Sequence, residues 1–284
     1  MTSVEDVRPP NVDESRRREE EIERAFDRIV RLGVPRLQRS TIEMLATGAV
    51  GGLDVGFGVL ALLYVEHVTG SILLGGLAFS IGFLILQLGQ SELFTEGFLV
   101  PVVVVVAEEA RLRSLFRLWG CTLVANLAGG WVLAAIAMTA FPQLQRQAVR
   151  SASYYAASDL GWRTLCLAIL AGAAITLMTW MHTGTANEVA RVFASVATAF
   201  LLAGMRMFHS ILDSLLIFTA LQSPHAPFGY GEWFEWFSWV MLGNLIGGIG
   251  LVTMLRLVRA NRRVSDHREA HRRRLRWPRR PLPR

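Results

Sequence analysis

The sequence predicts an all-α integral membrane fold: six transmembrane helices forming two inverted three-helix repeats, with spans 2 and 5 broken. Three observations predict it. Charge is concentrated at the two ends of the 284-residue chain, leaving apolar stretches of the length a bilayer requires, about 20 residues per helix. All 29 basic residues are arginine, and they segregate by face. The motif Asn126-Leu127-Ala128-Gly129-Gly130 returns as Asn244-Leu245-Ile246-Gly247-Gly248, each time after an interrupted apolar stretch.

The chain divides into an N-terminal tail (1–40), a six-span membrane domain (41–258) and a basic C-terminal tail (259–284). Residues 1–14, with their Pro-Pro pair, read as disordered. Between 15 and 32, Ile22, Ala25, Phe26, Ile29 and Val30 recur at helical spacing among charges. This is an amphipathic helix, lying on the membrane or packing on a neighbouring subunit, and Pro35 is expected to end it. No apolar signal segment precedes it.

Span 1 is expected at about 41–66 and span 2 from Ser71 to Gly89. A polar interruption over 89–97 breaks span 2 before apolar sequence resumes at 98–106. Span 3 follows at about 115–140, then a polar segment at 142–161 and span 4 at about 162–181. Span 5 is apolar from Val192 to Ala203, broken over 204–209, and apolar again from Ile211 to Leu221. Span 6 covers about 234–257.

Six spans place both termini on one side. Nine arginines in the N-tail, three at 107–117, one at 182–191 and twelve from 256 onward fall on that side. Only Arg146, Arg150 and Arg163 fall opposite, and Arg206 lies within a span. The arginine-rich side is therefore cytoplasmic, in a plasma (inner) membrane. Trp233, Trp236 and Trp239 then sit near the outer interface as an aromatic belt. The C-terminal arginines are a solvated topogenic tail or a contact for anionic lipid headgroups.

Thr95 precedes Asn126 by 31 residues and His209 precedes Asn244 by 35, so spans 1–3 and 4–6 read as copies of one unit. Three spans is an odd number, which requires the copies to be inverted. Broken helices at matching positions in inverted repeats mark binding sites in transporters. Irregular backbone at bilayer depth survives only when buried in protein or lining a cavity.

Ionisable groups inside spans cost about 2.5–3.5 kcal/mol each on insertion scales, so each needs a reason. They are Asp54, Glu92, Glu96, Arg206, His209 and Asp213. His209 stands at the second break, where an imidazole can give or take a proton near neutral pH. Arg206, His209 and Asp213 share a face if helical geometry continues through the break. Thr95 stands at the first break, its hydroxyl placed to bond either His209 or a passing solute. Leu93 and Phe94 form either a dehydrated constriction or ordinary core packing. Glu92 is expected to accept hydrogen bonds from backbone donors freed by the break. Glu96 and Asp54 pair with Arg206 or carry protons. Asn126 and Asn244 are taken as structural groups at the breaks.

An intramembrane hydrolase built on Ser91 and His209 fits poorly, because no nucleophile setting surrounds Ser91. A scaffold acting through its charged tails is a second alternative. Cys121 and Cys166 lie in apolar spans and make no disulfide framework. No metal-ligand spacing, phosphate-binding glycine loop or cofactor motif stands out, and nothing suggests nucleic acid.

Glu92-Leu93-Phe94-Thr95, Phe208-His209-Ser210-Ile211 and Gly243-Asn244-Leu245-Ile246-Gly247-Gly248 together resemble the formate–nitrite transporter family, over about 41–257. The resemblance implies an aquaporin-like fold and a homopentamer with one pore per subunit, in contact with membrane lipid. It implies small monovalent weak-acid anions as solutes: formate, nitrite, hydrosulfide. Leu93 and Phe94 would line the cytoplasmic constriction, Thr95 would bond His209, and His209 would protonate the anion or hold it electrostatically. Four positions depart from that pattern. Gly172 stands where an Asn is usual and Asp213 where Asn is frequent, Arg206 lies unusually close to the histidine, and Glu96 replaces a small or polar residue. Two unit charges 4 Å apart interact by roughly 4 kcal/mol at an effective dielectric of 20, so an ionised Asp213 would repel an anion. The excess of intramembrane carboxylates leaves a second cargo open, a neutral or cationic small solute.

Overall fold

In the computed structural model, which describes residues 12–276, the amphipathic pattern forms helix α1, Val12–Gln38. It runs through Pro35 instead of stopping there. Its end is set by Ser40, which forms a reciprocal capping box with Glu43 and starts α2, Thr41–Thr69. Phe26, Ile29 and Val30 are buried against this same chain, on Leu99, Val100 and Val103 and on Leu257, Ala260 and Val264. The apolar face of α1 is therefore covered within the subunit.

Gly70, at φ 68°, ends α2 in the left-handed region, and Ser71 caps α3, Ile72–Gly89. After the break come a 3-10 turn, Phe94–Phe98, and the short α4, Val100–Val106. Helix α5 spans Leu112–Ala140. The expected polar loop contains a further helix, α6, Gln145–Ala156, whose Ala148, Ser151, Ala152 and Tyr155 are buried. Its apolar stripe is short and built of small residues, so it carries little signal in sequence. Helix α7 covers Trp162–Gly184, α8 Glu188–Gly204 and α9 Ser210–Leu221. The last span begins as α10, Tyr230–Leu245, widens into a π-helical stretch at Ile246–Thr253, and ends as α11, Met254–Arg259. Within that stretch Thr253 Oγ1 donates to Gly248 O and to Phe98 O, which ties the widened turn to the first break.

The basic tail continues as helix α12, Asn261–Arg276. The end of the tail, 277–284, and residues 1–11 of the segment expected to be disordered lie outside the described residues, while its residues 12–14 begin α1.

The described residues are helical with no strand. Among the described residues, five helices are long and apolar enough to cross a membrane: α2, α3, α5, α7 and Tyr230–Arg259. The fifth expected span is divided between α8 and α9, of 17 and 12 residues. Large apolar side chains such as Phe57, Tyr64, Leu73, Val124 and Phe193 remain exposed along these helices, as lipid contact or subunit contact requires.

Helices α2 and α5 touch along one seam, and α7 and the last span along another. At the first, a Cβ on Gly52 would meet Asn126 O at 2.2 Å; at the second, a Cβ on Gly172 would meet Asn244 O at 2.1 Å. Both contacts exclude any side chain larger than hydrogen. One turn on from Gly172, Thr176 is fully buried and donates back to Gly172 O.

Trp236 is not part of an interfacial belt. It is 1% exposed and packs on Phe208 and Tyr155 in the core. Trp233 is partly buried and donates to Ser214 Oγ.

Candidate functional site

The two breaks are built alike. Each preceding helix ends with a non-glycine residue at positive φ: Gln90 at 53° after α3 and Arg206 at 51° after α8. In each, the next residue's N–H reaches back five positions, Ser91 to Leu86 O and Met207 to Leu202 O. Two asparagines then hold the extended backbone that follows. Asn126 donates to Glu92 O and Gly48 O and accepts from Phe94 N. Asn244 donates to Phe208 O and Ala168 O and accepts from Ser210 N. Each amide thus satisfies a carbonyl and an N–H two residues apart that have left regular helix, which is what burial at this depth demands. Both asparagines are fully buried.

Matched bond for bond, Glu92 corresponds to Phe208, Leu93 to His209 and Phe94 to Ser210. The positional counterpart of His209 is therefore Leu93, not Thr95. Thr95 instead meets His209 directly: its Oγ1 lies 2.9 Å from His209 Nε2, and both residues are fully buried. His209 also caps α9, its Nδ1 accepting from Leu212 N at 3.1 Å. An acceptor Nδ1 fixes the neutral tautomer with its proton on Nε2, so the histidine presents a donor towards Thr95.

Asp213 lies one turn into α9. Its Oδ2 accepts from His209 N at 2.7 Å, and its Oδ1 is buried without a hydrogen-bond partner. Arg206 does not share its face. The left-handed turn at Arg206 swings the guanidinium over the Tyr154 ring of α6, 4.8 Å from the centroid, and it makes no ion pair among the described residues.

Leu93 and Phe94 are buried at the first break, and Phe94 packs edge-on against Phe98 and Trp119. Phe208, the residue before His209, packs on Tyr154, Tyr155 and Trp236.

Glu92 does not cap backbone. Its carboxylate binds Arg36 at 2.8 Å and Arg39 at 2.6 Å, and so fastens α1 to the first break. Asp54 does not meet Arg206 either; it accepts from Ser91 Oγ at 2.5 Å. Glu96 is 8% exposed and lies in electrostatic range of Arg36 and Glu92. Beside these groups is a cavity of about 360 Å³, lined by residues that include Arg36, Arg39, Glu92, Glu96, His182 and Arg191. The roles of Arg36 and Arg39 had no motif in the sequence. Tyr154, Tyr155 and Trp119 gave none either, since each becomes relevant only through a contact far away in the chain.

Comparison with known proteins places this architecture. The family description "Formate/nitrite transporter" matches residues 23–258. The chain is 26% identical over 248 residues to the inner membrane protein YfdC of Escherichia coli (strain K12), covering 84% of this chain and 78% of that protein. It is 25% identical over 246 residues to the formate channel BtFdhC of Bacillus thuringiensis, covering 81% and 92%. In fold it resembles a pentameric formate channel with formate bound, at a TM-score of 0.67 and 20% identity, over 77% of this chain and 96% of that one. A second solved structure, an FNT family ion channel, aligns at a TM-score of 0.70 and 18% identity, over 83% and 96%. With a match that spans most of its length, the chain belongs to the formate/nitrite transporter family.

Proposed function

We propose that this protein is a membrane pore for small monovalent weak-acid anions such as formate or nitrite, with His209 and Thr95 at its narrowest polar layer. The observation that carries this reading is the buried Thr95–His209 pair, held between two broken helices whose backbone is clamped by Asn126 and Asn244. Leu93 and Phe94 strip water on one side of that layer and Phe208 on the other, so a solute exchanges its hydration for the Nε2–H and hydroxyl of the pair. The matching breaks support a six-span domain over 41–258 made of two inverted repeats, α8 and α9 together serving as the fifth span.

The arginine count supports cytoplasmic termini, with the 1–40 and 259–284 segments on the cytoplasmic side of the inner membrane. On that assignment Arg36, Arg39, Glu92 and Glu96 stand at the cytoplasmic vestibule, and Arg206 stands at the outer one with Tyr154. The formate channel of similar fold is a pentamer, which supports a homopentamer with one pore in each subunit.

The test is uptake of labelled formate and nitrite into proteoliposomes across about pH 5 to 8. Wild type should show pH-graded uptake, and His209→Ala and Thr95→Ala should each flatten it while the protein stays assembled. Unchanged uptake in both variants would sink the role given to the pair.

A second reading keeps the pore and changes the cargo to a neutral or cationic solute. The buried carboxyls of Asp54, Glu96 and Asp213 favour it, since Glu92 alone among the break carboxylates is paired with arginine. Currents measured while anions and then cations are replaced across a bilayer separate the two.

A further inference from the structure

Asp213 is fully buried, beside the central histidine, and has one partner. That partner, the His209 N–H, occupies Oδ2, while Oδ1 has neither a hydrogen-bond partner nor contact with solvent. No cation faces it. Arg206 is turned onto Tyr154, and no ion pair to Asp213 forms among the described residues. Its other titratable neighbours are His209, held neutral by the α9 cap, and Tyr155 of α6, within whose electrostatic range both Asp213 and Arg206 fall. Glu66 of α2 also falls within range of Tyr155 but is bonded to Gln147 and Ser151.

A carboxylate here would face no cation, and only the first turn of α9 and the His209 N–H would offset its desolvation. A protonated Asp213 removes that buried charge. Oδ2 is the carbonyl that accepts from His209 N. Oδ1 is then a hydroxyl, a donor left without an acceptor, one helical turn from the residue whose side chain meets Thr95. The histidine cannot fill this role from its present state. Its Nδ1 is committed to Leu212 N–H, and donating the Nε2 proton would leave an imidazolate.

We propose that Asp213, not His209, is the proton donor of this pore, and that the solute leaves the central layer as the neutral acid. The proposal rests on the weak-acid reading above. His209 orients the anion through Nε2–H. The Oδ1–H bond of Asp213 then breaks, its electron pair stays on Oδ1, and the proton forms the O–H bond of the neutral acid. That acid moves past the apolar ring ahead of it, and a proton arriving from bulk water restores Asp213. One proton therefore accompanies each anion, and no net charge crosses.

Asp213→Asn is nearly isosteric and keeps an acceptor for His209 N. In proteoliposomes loaded with a pH dye, wild type should acidify its lumen by one proton per formate. In Asp213→Asn that ratio should fall towards zero while the remaining formate flux becomes sensitive to membrane potential. Difference infrared spectroscopy on purified protein at neutral pH should show the carbonyl stretch of a protonated carboxylic acid, absent in Asp213→Asn and shifted in Asp213→Glu. An unchanged proton-to-formate ratio in Asp213→Asn, or the absence of that band in wild type, overturns the proposal. Wild-type protein that carries no weak acid at all overturns the weak-acid reading with it, while the infrared band still reports whether Asp213 is protonated.

Discussion

Two asparagines do more to set this molecule's interior than any titratable group. Each makes three buried hydrogen bonds to backbone that would otherwise be orphaned. Asn126→Ala or Asn244→Ala should each cost about 3 kcal/mol, at roughly 1 kcal/mol per bond with further loss from groups left unpaired. Because the two clamps match, the costs should be similar, as read from thermal unfolding of the purified protein in detergent. A loss below about 1 kcal/mol in either would mean that neighbouring groups take over the clamp. Both asparagines were legible as a repeat in the sequence. Their bonds were not, because Glu92 and Phe208 are reached across 34 and 36 residues. The same holds for Asp213: the sequence placed it one turn from His209, and only the packed structure showed that one oxygen is spent on backbone and the other is free.

At the scale of elements, the two tails form one unit. Asp27 of α1 receives two bonds from Arg263 of α12, at 3.1 and 2.6 Å, and His267 lies 3.0 Å from the same carboxylate. Arg263, and after it His267, holds the Asp27 carboxyl below its ordinary range, against the effect of burial. A lowered carboxylate pKa contributes stability that is complete above the ordinary value and is lost as pH falls through the lowered one. The clasp should therefore hold at neutral pH and loosen only in acid below the usual carboxylate range. Asp27→Asn should loosen it at neutral pH, by about 1 kcal/mol for a partly exposed pair, and cause no further loss in acid, where wild type has already lost the contact. Amide exchange along α1 and α12 measures this; equal protection in the variant at neutral pH would show that apolar packing alone docks α1. The amphipathic face of α1 was legible in the sequence, but the surface covering it was not. The expected stop at Pro35 did not hold: α1 runs through it to Gln38, and the Ser40 capping box starts the next helix.

For the whole molecule, exposed apolar side chains along the spans face either lipid or another subunit, and their chemistry does not distinguish the two. Native mass spectrometry in mild detergent should find five 31.5 kDa chains. A monomer that still carries formate would separate the pore from the assembly, since each proposed pore is built from one chain.

The sequence by itself determined that the chain is helical and membrane-embedded, because the length of an apolar run and the placement of charge are local properties that a bilayer reads directly. It also determined that two breaks recur and which histidine and threonine attend them. The pairing of partners needed the tertiary structure: Glu92 with Arg36 and Arg39, Asp54 with Ser91, Arg206 with Tyr154, Leu93 and not Thr95 as the counterpart of His209. A buried charge or hydrogen-bonding group must find a partner, but the sequence does not say which. That choice is made by helices brought within contact distance, here along glycine seams where a single Cβ would hold them apart.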